Sequence, residues 1–139
     1  MKWVITGLGI LAVLAAGLAI WARVAPSDPA RWHAMPGAVT DRDMEGGAMR
    51  VVGAGEDGLS RLDAIIRAAP RTSVLTGSVD KGMITYIARS RLFGFPDYVT
   101  VRQAGKQIEI YSRLRFGRSD LGVNAKRLDH WLALYAERG

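Results

Sequence analysis

Gln107-Ile108-Glu109-Ile110-Tyr111-Ser112-Arg113-Leu114-Arg115-Phe116 alternates in character along its whole length. Ile108, Ile110, Ser112, Leu114 and Phe116 fall on one side, and Glu109, Tyr111, Arg113 and Arg115 on the other. Successive side chains of an extended chain point to opposite faces, so this pattern predicts a half-buried antiparallel strand. Working backwards, Ala104-Gly105-Lys106 reads as a turn, and Tyr98–Arg102 as the strand leading into it. Met83–Arg91 and the β-branched Thr72–Ser78 are two further strands, joined at Asp80-Lys81-Gly82.

The flanks change period. Leu59, Leu62, Ile65, Ile66 and Ala69 recur at helical spacing until Pro70, which predicts a helix over 58–69. A second helix is expected from about Asn124, with Asn124 as its N-cap and Leu128, Trp131, Leu132 and Tyr135 as its buried stripe. Helix, strand meander and helix together predict an α+β domain, an antiparallel sheet packed on two helices.

Upstream, Trp3 to Ala22 is twenty residues without a charge. In a helix that run spans about 30 Å, the thickness of a bilayer's hydrocarbon core. Trp3 and Trp21 stand at its two ends, where indole rings favour the interface. A cleaved signal peptide has the same general shape, but Ile20-Trp21-Ala22 puts bulky residues where a signal peptidase needs small ones. The expected organisation is therefore a transmembrane anchor over 1–23, a Pro/Gly-rich tether over 24–57 and a core α+β domain over 58–139. A short strand is possible at Ala48–Val52 within the tether, and Trp32 and His33 are expected to pack or to anchor near the interface. The two-residue head before the apolar run resembles an uncleaved signal-anchor, which leaves the domain outside the cytoplasm.

The net charge is +6, unevenly spread. Residues 28–80 carry six Arg against eight acids, whereas residues 81–127 carry ten Lys or Arg against Asp97, Glu109 and Asp120. A basic half of this kind favours anionic lipid head groups, an acidic partner or nucleic acid. The absence of cysteine excludes disulfides, thiolate zinc sites and a cysteine nucleophile. His33 and His130 lack the carboxylate spacing of a metal site, Ser90, Ser112 and Ser119 lack a base, and Gly53-Ala54-Gly55 lacks the rest of a phosphate loop. No catalytic residue, metal or cofactor is expected.

Ser90-Arg91-Leu92-Phe93-Gly94-Phe95-Pro96-Asp97, Ile110-Tyr111-Ser112-Arg113 and Arg115-Phe116-Gly117-Arg118-Ser119-Asp120-Leu121-Gly122-Val123-Asn124 together carry a likeness. With Ala25-Pro26-Ser27-Asp28-Pro29-Ala30-Arg31-Trp32-His33 after the apolar run, the chain resembles the bacterial family known as domain of unknown function 1499. The resemblance covers most of residues 25–137. It implies a small exported or membrane-attached domain, hence a single-pass protein of the bacterial inner membrane with its domain in the periplasm. It implies no activity.

One constellation remains. Arg89, Arg91, Arg113, Arg115 and Arg118 come from two strand segments and the turn after the second. If those strands are neighbours, alternation sends the first four to one face. Packed guanidinium groups require something anionic among them. Internal acids (Asp97, Glu109, Asp120) are the preferred partners; lipid head groups, a protein partner, or a small phosphate or carboxylate are the alternatives. Ser119, Asp120 and Asn124 are expected to organise the following loop, and Phe93, Phe95 and Pro96 form either a turn plugged into the core or an edge for a partner. The expected function is a membrane-anchored, noncatalytic accessory module that docks a protein partner or anionic lipid through its basic sheet face. Binding of a small anion is the alternative and an unrecognised hydrolase the third reading; nucleic acid is not an expected partner.

Overall fold

Strand β6 (Gln107–Leu114) lies inside a six-stranded antiparallel sheet in the computed structural model, which describes residues 1–139. The other strands are β1 (Arg42–Met44), β2 (Gly47–Gly53), β3 (Thr72–Ser78), β4 (Met83–Arg89) and β5 (Pro96–Ala104). Their order across the sheet is β1-β2-β6-β5-β4-β3. Four helices accompany them: α1 (Lys2–Val24), the single turn α2 (Pro29–Trp32), α3 (Gly58–Arg67) and α4 (Val123–Glu137).

Period-2 alternation assigns the two faces. Ala48, Ile84, Tyr86, Val99, Val101, Ile108 and Ile110 point to one side and meet Leu59, Leu62, Ile65 and Ile66 of α3 and Leu128, Trp131 and Tyr135 of α4. Each large apolar side chain taken fully out of water contributes about 1.5–3 kcal/mol, so this layer is the principal source of stability. The α+β architecture with two helices on one face is thus what the sequence predicts.

The tether differs from expectation. The short strand expected at Ala48–Val52 is present as part of β2, which pairs with β6 over its full length from Gly47↔Arg113 to Gly53↔Gln107, and Arg42–Met44 is a further strand that the tether reading lacks. Glu45-Gly46 is a two-residue turn between β1 and β2, so the stretch expected to be a tether holds a hairpin. Gly47 allows β2 to close on β6, because a Cβ there would strike the Ser112 carbonyl. The sheet domain therefore begins near Arg42 rather than at 58.

Helix α1 is long and apolar enough to cross a membrane. Its apolar side chains are exposed all round, and only Ala22 is buried, at the end that meets the domain. Residues 25–36 then turn back across the sheet face opposite α3 and α4. Asp28 starts α2 by accepting the Ala30 amide at 3.0 Å, with Pro29 preset for the first turn. Trp32 stacks on Tyr98 of β5 with centroids 4.0 Å apart, so the segment is a strap laid on the sheet.

Candidate functional site

Strand β5 separates β4 from β6, so the arginines do not come from neighbouring strands. Arg89 lies opposite Pro96 and Arg113 opposite Tyr98, both on the strap face. Arg91 has left the strand into the 90–95 loop, where it is exposed. Arg118 is almost wholly exposed, with Glu45 at 3.8 Å.

The partners of the remaining three are backbone carbonyls of the helix end and the strap. Arg89 Nη1 donates to the Ala22 carbonyl at 3.2 Å and to Gly94 at 3.0 Å, and its Nη2 donates to Arg23 at 3.4 Å. Ala22 and Arg23 lie in the last turn of α1, whose carbonyls have no partner within the helix. Arg115 Nη1 donates to the Pro26 carbonyl at 2.9 Å and to Tyr98 Oη at 3.0 Å. Arg113 donates through Nη2 to the Trp32 carbonyl and through Nη1 to Thr100 Oγ1 at 2.8 Å. Ser27 Oγ and Tyr98 Oη meet at 2.6 Å, and His33 Nδ1 reaches Thr85 Oγ1 at 2.8 Å. A clamp of three guanidinium groups thus runs from the end of α1 to Trp32.

The expected internal acids are engaged elsewhere. Glu109 pairs with Arg102. Asp97 projects to the helix face, where Arg127 and Asn124 Nδ2 each reach it at 3.3 Å. Burial pushes the Asp97 carboxyl above its ordinary range even though Arg127 and Asn124 pull the other way. Asp120 accepts the amides of Gly122 at 2.9 Å and Asn124 at 3.0 Å. No carboxylate stands within 4.0 Å of Arg23, Arg71, Arg89, Arg91, Arg113 or Arg115.

Arg113 is the most enclosed of these. It is 8% exposed, and burial pulls its guanidinium down to about 10, which still leaves it charged at neutral pH. The faces of Tyr111, 4.5 Å away, and Trp32, 5.7 Å away, replace part of the lost hydration. His33 is held below its ordinary 6.5 by burial and by the charges of Lys81 and Arg113. Thr85 and Thr100 connect the two residues through a 2.9 Å hydroxyl contact and are fully buried, so neither hydroxyl meets a substrate.

In the loop before α4, Ser119 Oγ accepts the Leu121 amide at 3.3 Å. The cap is not Asn124: Gly122, in the left-handed region at φ +79°, precedes the first helical residue, and Asp120 supplies the oxygens for the free amides. Asn124 is instead fully buried, its carbonyl oxygen accepting from Ser112 and from Arg127 Nη1. The loop is held; its cap lies elsewhere.

Phe93 and Phe95 stack at 5.5 Å, Phe95 lies 6.0 Å from Phe116, and Phe116 lies 5.0 Å from Trp21. Pro96 and Gly94 are buried. This aromatic row is therefore applied to the end of α1. Gly94, at φ +72°, allows that approach, because a Cβ would sit 2.8 Å from Arg23 Nε.

Sequence reasoning missed Arg23 and Arg71 as members of the cluster. Arg23 reads as a membrane flank and Arg71 as the residue after a helix stop. The docking of α1 on the 90–95 loop brings Arg23 to the cluster, and the end of the β3–β4 pair brings Arg71 beside Arg89. The arrangement as a whole holds carbonyls and displays positive charge.

The family model described as protein of unknown function (DUF1499) matches residues 24–134. No curated protein and no solved structure matches the chain.

Proposed function

The chain belongs to the DUF1499 family, and from that premise and the arginine clamp we propose that it is a noncatalytic accessory module held against a membrane surface. In this reading α1 is an uncleaved single-pass anchor in the bacterial inner membrane, with the domain on the periplasmic side. The end of the sheet that meets α1 then docks anionic lipid head groups. The carrying observation is that Arg89, Arg115 and Arg113 grip the carbonyls of Ala22, Arg23, Pro26 and Trp32, so the domain is fixed to the helix instead of trailing on a loose tether.

Two further features support it. Ala22 is the one buried residue of α1, so the helix and the domain share a packed junction. The exposed residues at the end of the sheet that meets α1 include basic groups, Arg23, Arg91 and Arg118, and the bare aliphatic side chains of Leu92, 76% exposed, and Leu121, 86% exposed. Basic residues at an anionic surface contribute about 1 kcal/mol each, and aliphatic tips dissolve in the acyl boundary. A protein partner meeting the same end is the second reading.

The chain has no cysteine, so single cysteines can carry an environment-sensitive dye. With the full-length protein in nanodiscs, dyes at positions 92 and 121 should be quenched by spin labels at head-group depth. A dye at position 106, at the opposite end of the sheet, should not. Equal exposure of all three to water would overturn the surface reading. Protection of 92 and 121 only when cell extract is added would favour the protein partner.

A further inference from the structure

Where α1 meets the sheet, Arg23, Arg71, Arg89 and Arg91 surround a notch of about 440 Å³. Thr72 and Ser73 are among its other walls, and no lining residue is acidic or hydrophobic. Four cations around one polar space repel one another unless an anion joins them.

The hydrogen bonds show which donors are committed. Both terminal nitrogens of Arg89 are bound to carbonyls. Those of Arg23 reach Ala19 at 3.2 Å and Leu92 at 3.4 Å. Arg71 uses only Nε, which donates to the Arg89 carbonyl at 3.3 Å, so both of its terminal nitrogens are free. Arg91 is exposed, with its whole planar fork of donors available. The free groups of Arg71 and Arg91 match a tetrahedral oxyanion, which guanidinium groups grip two oxygens at a time.

The backbone of Arg71 adds an independent observation. Its φ is +54°, a left-handed conformation that disfavours a side chain by about 1–2 kcal/mol and leaves glycine unstrained. An arginine held there places its charge at the notch at the expense of local stability. Such departures from local preference concentrate at functional positions.

Arg23 follows Trp21 by two residues, so an anchored α1 puts the notch at the level of the lipid phosphates. Its polar walls suit a head group and not an acyl chain. We propose that this notch binds one phosphate group, that of an anionic phospholipid in the adjoining leaflet, with Arg71 and Arg91 as its principal donors. The source of the phosphate rests on the membrane-surface reading above, whereas the chemistry rests on the notch alone.

The test has two arms, both on the full-length chain. In the first, native mass spectrometry follows release from phosphatidylcholine nanodiscs containing a minority of phosphatidylglycerol. One phosphatidylglycerol should remain bound, and Arg91→Gln should weaken its retention about tenfold, the loss of one charge-assisted contact. Arg71→Gly should weaken it similarly while leaving the melting temperature unchanged or higher, which separates lost binding from lost folding. In the second arm, inorganic phosphate is titrated into the protein in uncharged detergent against chloride at matched ionic strength. Stabilisation that depends on Arg71 and Arg91, without selective lipid retention, would support the notch as a phosphate site and overturn its lipid source. Blank results in both arms, or responses unaltered by both substitutions, would overturn the notch itself. The dye depths at positions 92 and 121 decide the surface reading separately.

Discussion

Replacing Arg113 with methionine should release the strap while leaving the domain nearly as stable as before. Methionine is unbranched and of similar reach, so it can fill the space between Tyr111 and Trp32. The Trp32 carbonyl would lose its guanidinium donor, a charge-assisted hydrogen bond that contributes about 1.5–3 kcal/mol. The cation–π contact with Trp32 contributes roughly another 0.5–1 kcal/mol. Against this, burial pulls the guanidinium well below its ordinary range, to about 10, so the fold disfavours its charge by on the order of 3 kcal/mol, a cost that methionine does not carry. The opposed contributions are of similar size, so global stability should change by no more than about 1 kcal/mol, as in other exchanges of buried charge for apolar volume. The strap itself recovers nothing. The amides of Trp32 and His33, bonded to Asp28 and Pro29, should lose about 30- to 150-fold of their protection, equivalent to about 2–3 kcal/mol. Hydrogen exchange of the full-length protein in nanodiscs, beside a thermal melt, reads both quantities. Arg113→Lys, which keeps a buried charge without the planar fork, should melt below Arg113→Met. Unchanged protection of Trp32 and His33 would refute the clamp. A melting temperature that fell in step with the local loss would show that the strap belongs to the cooperative core.

Two other outcomes follow from the geometry. His33 is held below its ordinary 6.5, so the unfolded strap binds a proton more tightly than the packed one. Its contribution is complete above 6.5 and is lost as the pH falls below that value, with Lys81 and Arg113 opposing the new charge. Exchange protection at Trp32, corrected for intrinsic rates, should therefore drop on acidification and stay flat in His33→Gln; an identical pH profile in that variant would remove the assignment. Asp97→Ala strands the guanidinium of Arg127, whose side chain is 16% exposed, and the Nδ2 of Asn124. Breaking such a pair should cost about 3 kcal/mol and lower the melting temperature by about 10 °C or more, with Asp97→Asn milder. A shift of a degree or two would mean that the pair carries little of the α4 docking.

What the sequence made legible was whatever has a period. Gln107–Leu114 and Thr72–Ser78 alternate or are β-branched, and they fold as strands with the bounds that the pattern sets at one end or both. Leu59, Leu62 and Ile66 repeat at helical spacing and form the buried side of α3. Arg42–Met44 is three residues long and mostly polar, which leaves no period to read, and it acquires its place only by pairing with β2. Met49 and Val51 alternate with Ala48 and Arg50, so the short strand at Ala48–Val52 is legible, whereas the glycines on both sides hide its full extent over Gly47–Gly53.

The arginines show a different limit. Charge arithmetic exposed a surplus, because residues 81–127 hold ten cations and only three acids. That imbalance leaves most of those cations without a nearby carboxylate, to be met by water or by some other acceptor. It could not say what those partners are, since a backbone carbonyl is present at every residue and leaves no mark on a sequence. Long-range packing makes the choice: Arg89, Arg113 and Arg115 happen to face the chain where it returns from α1, and take its carbonyls. The same packing brings Arg23 and Arg71 to Arg91 from separate parts of the chain, and there the supply of carbonyls falls short. A surplus that is part absorbed and part left bare, at the one place where a membrane helix would deliver phosphates, is the physical ground on which we propose that this end of the sheet meets the lipid.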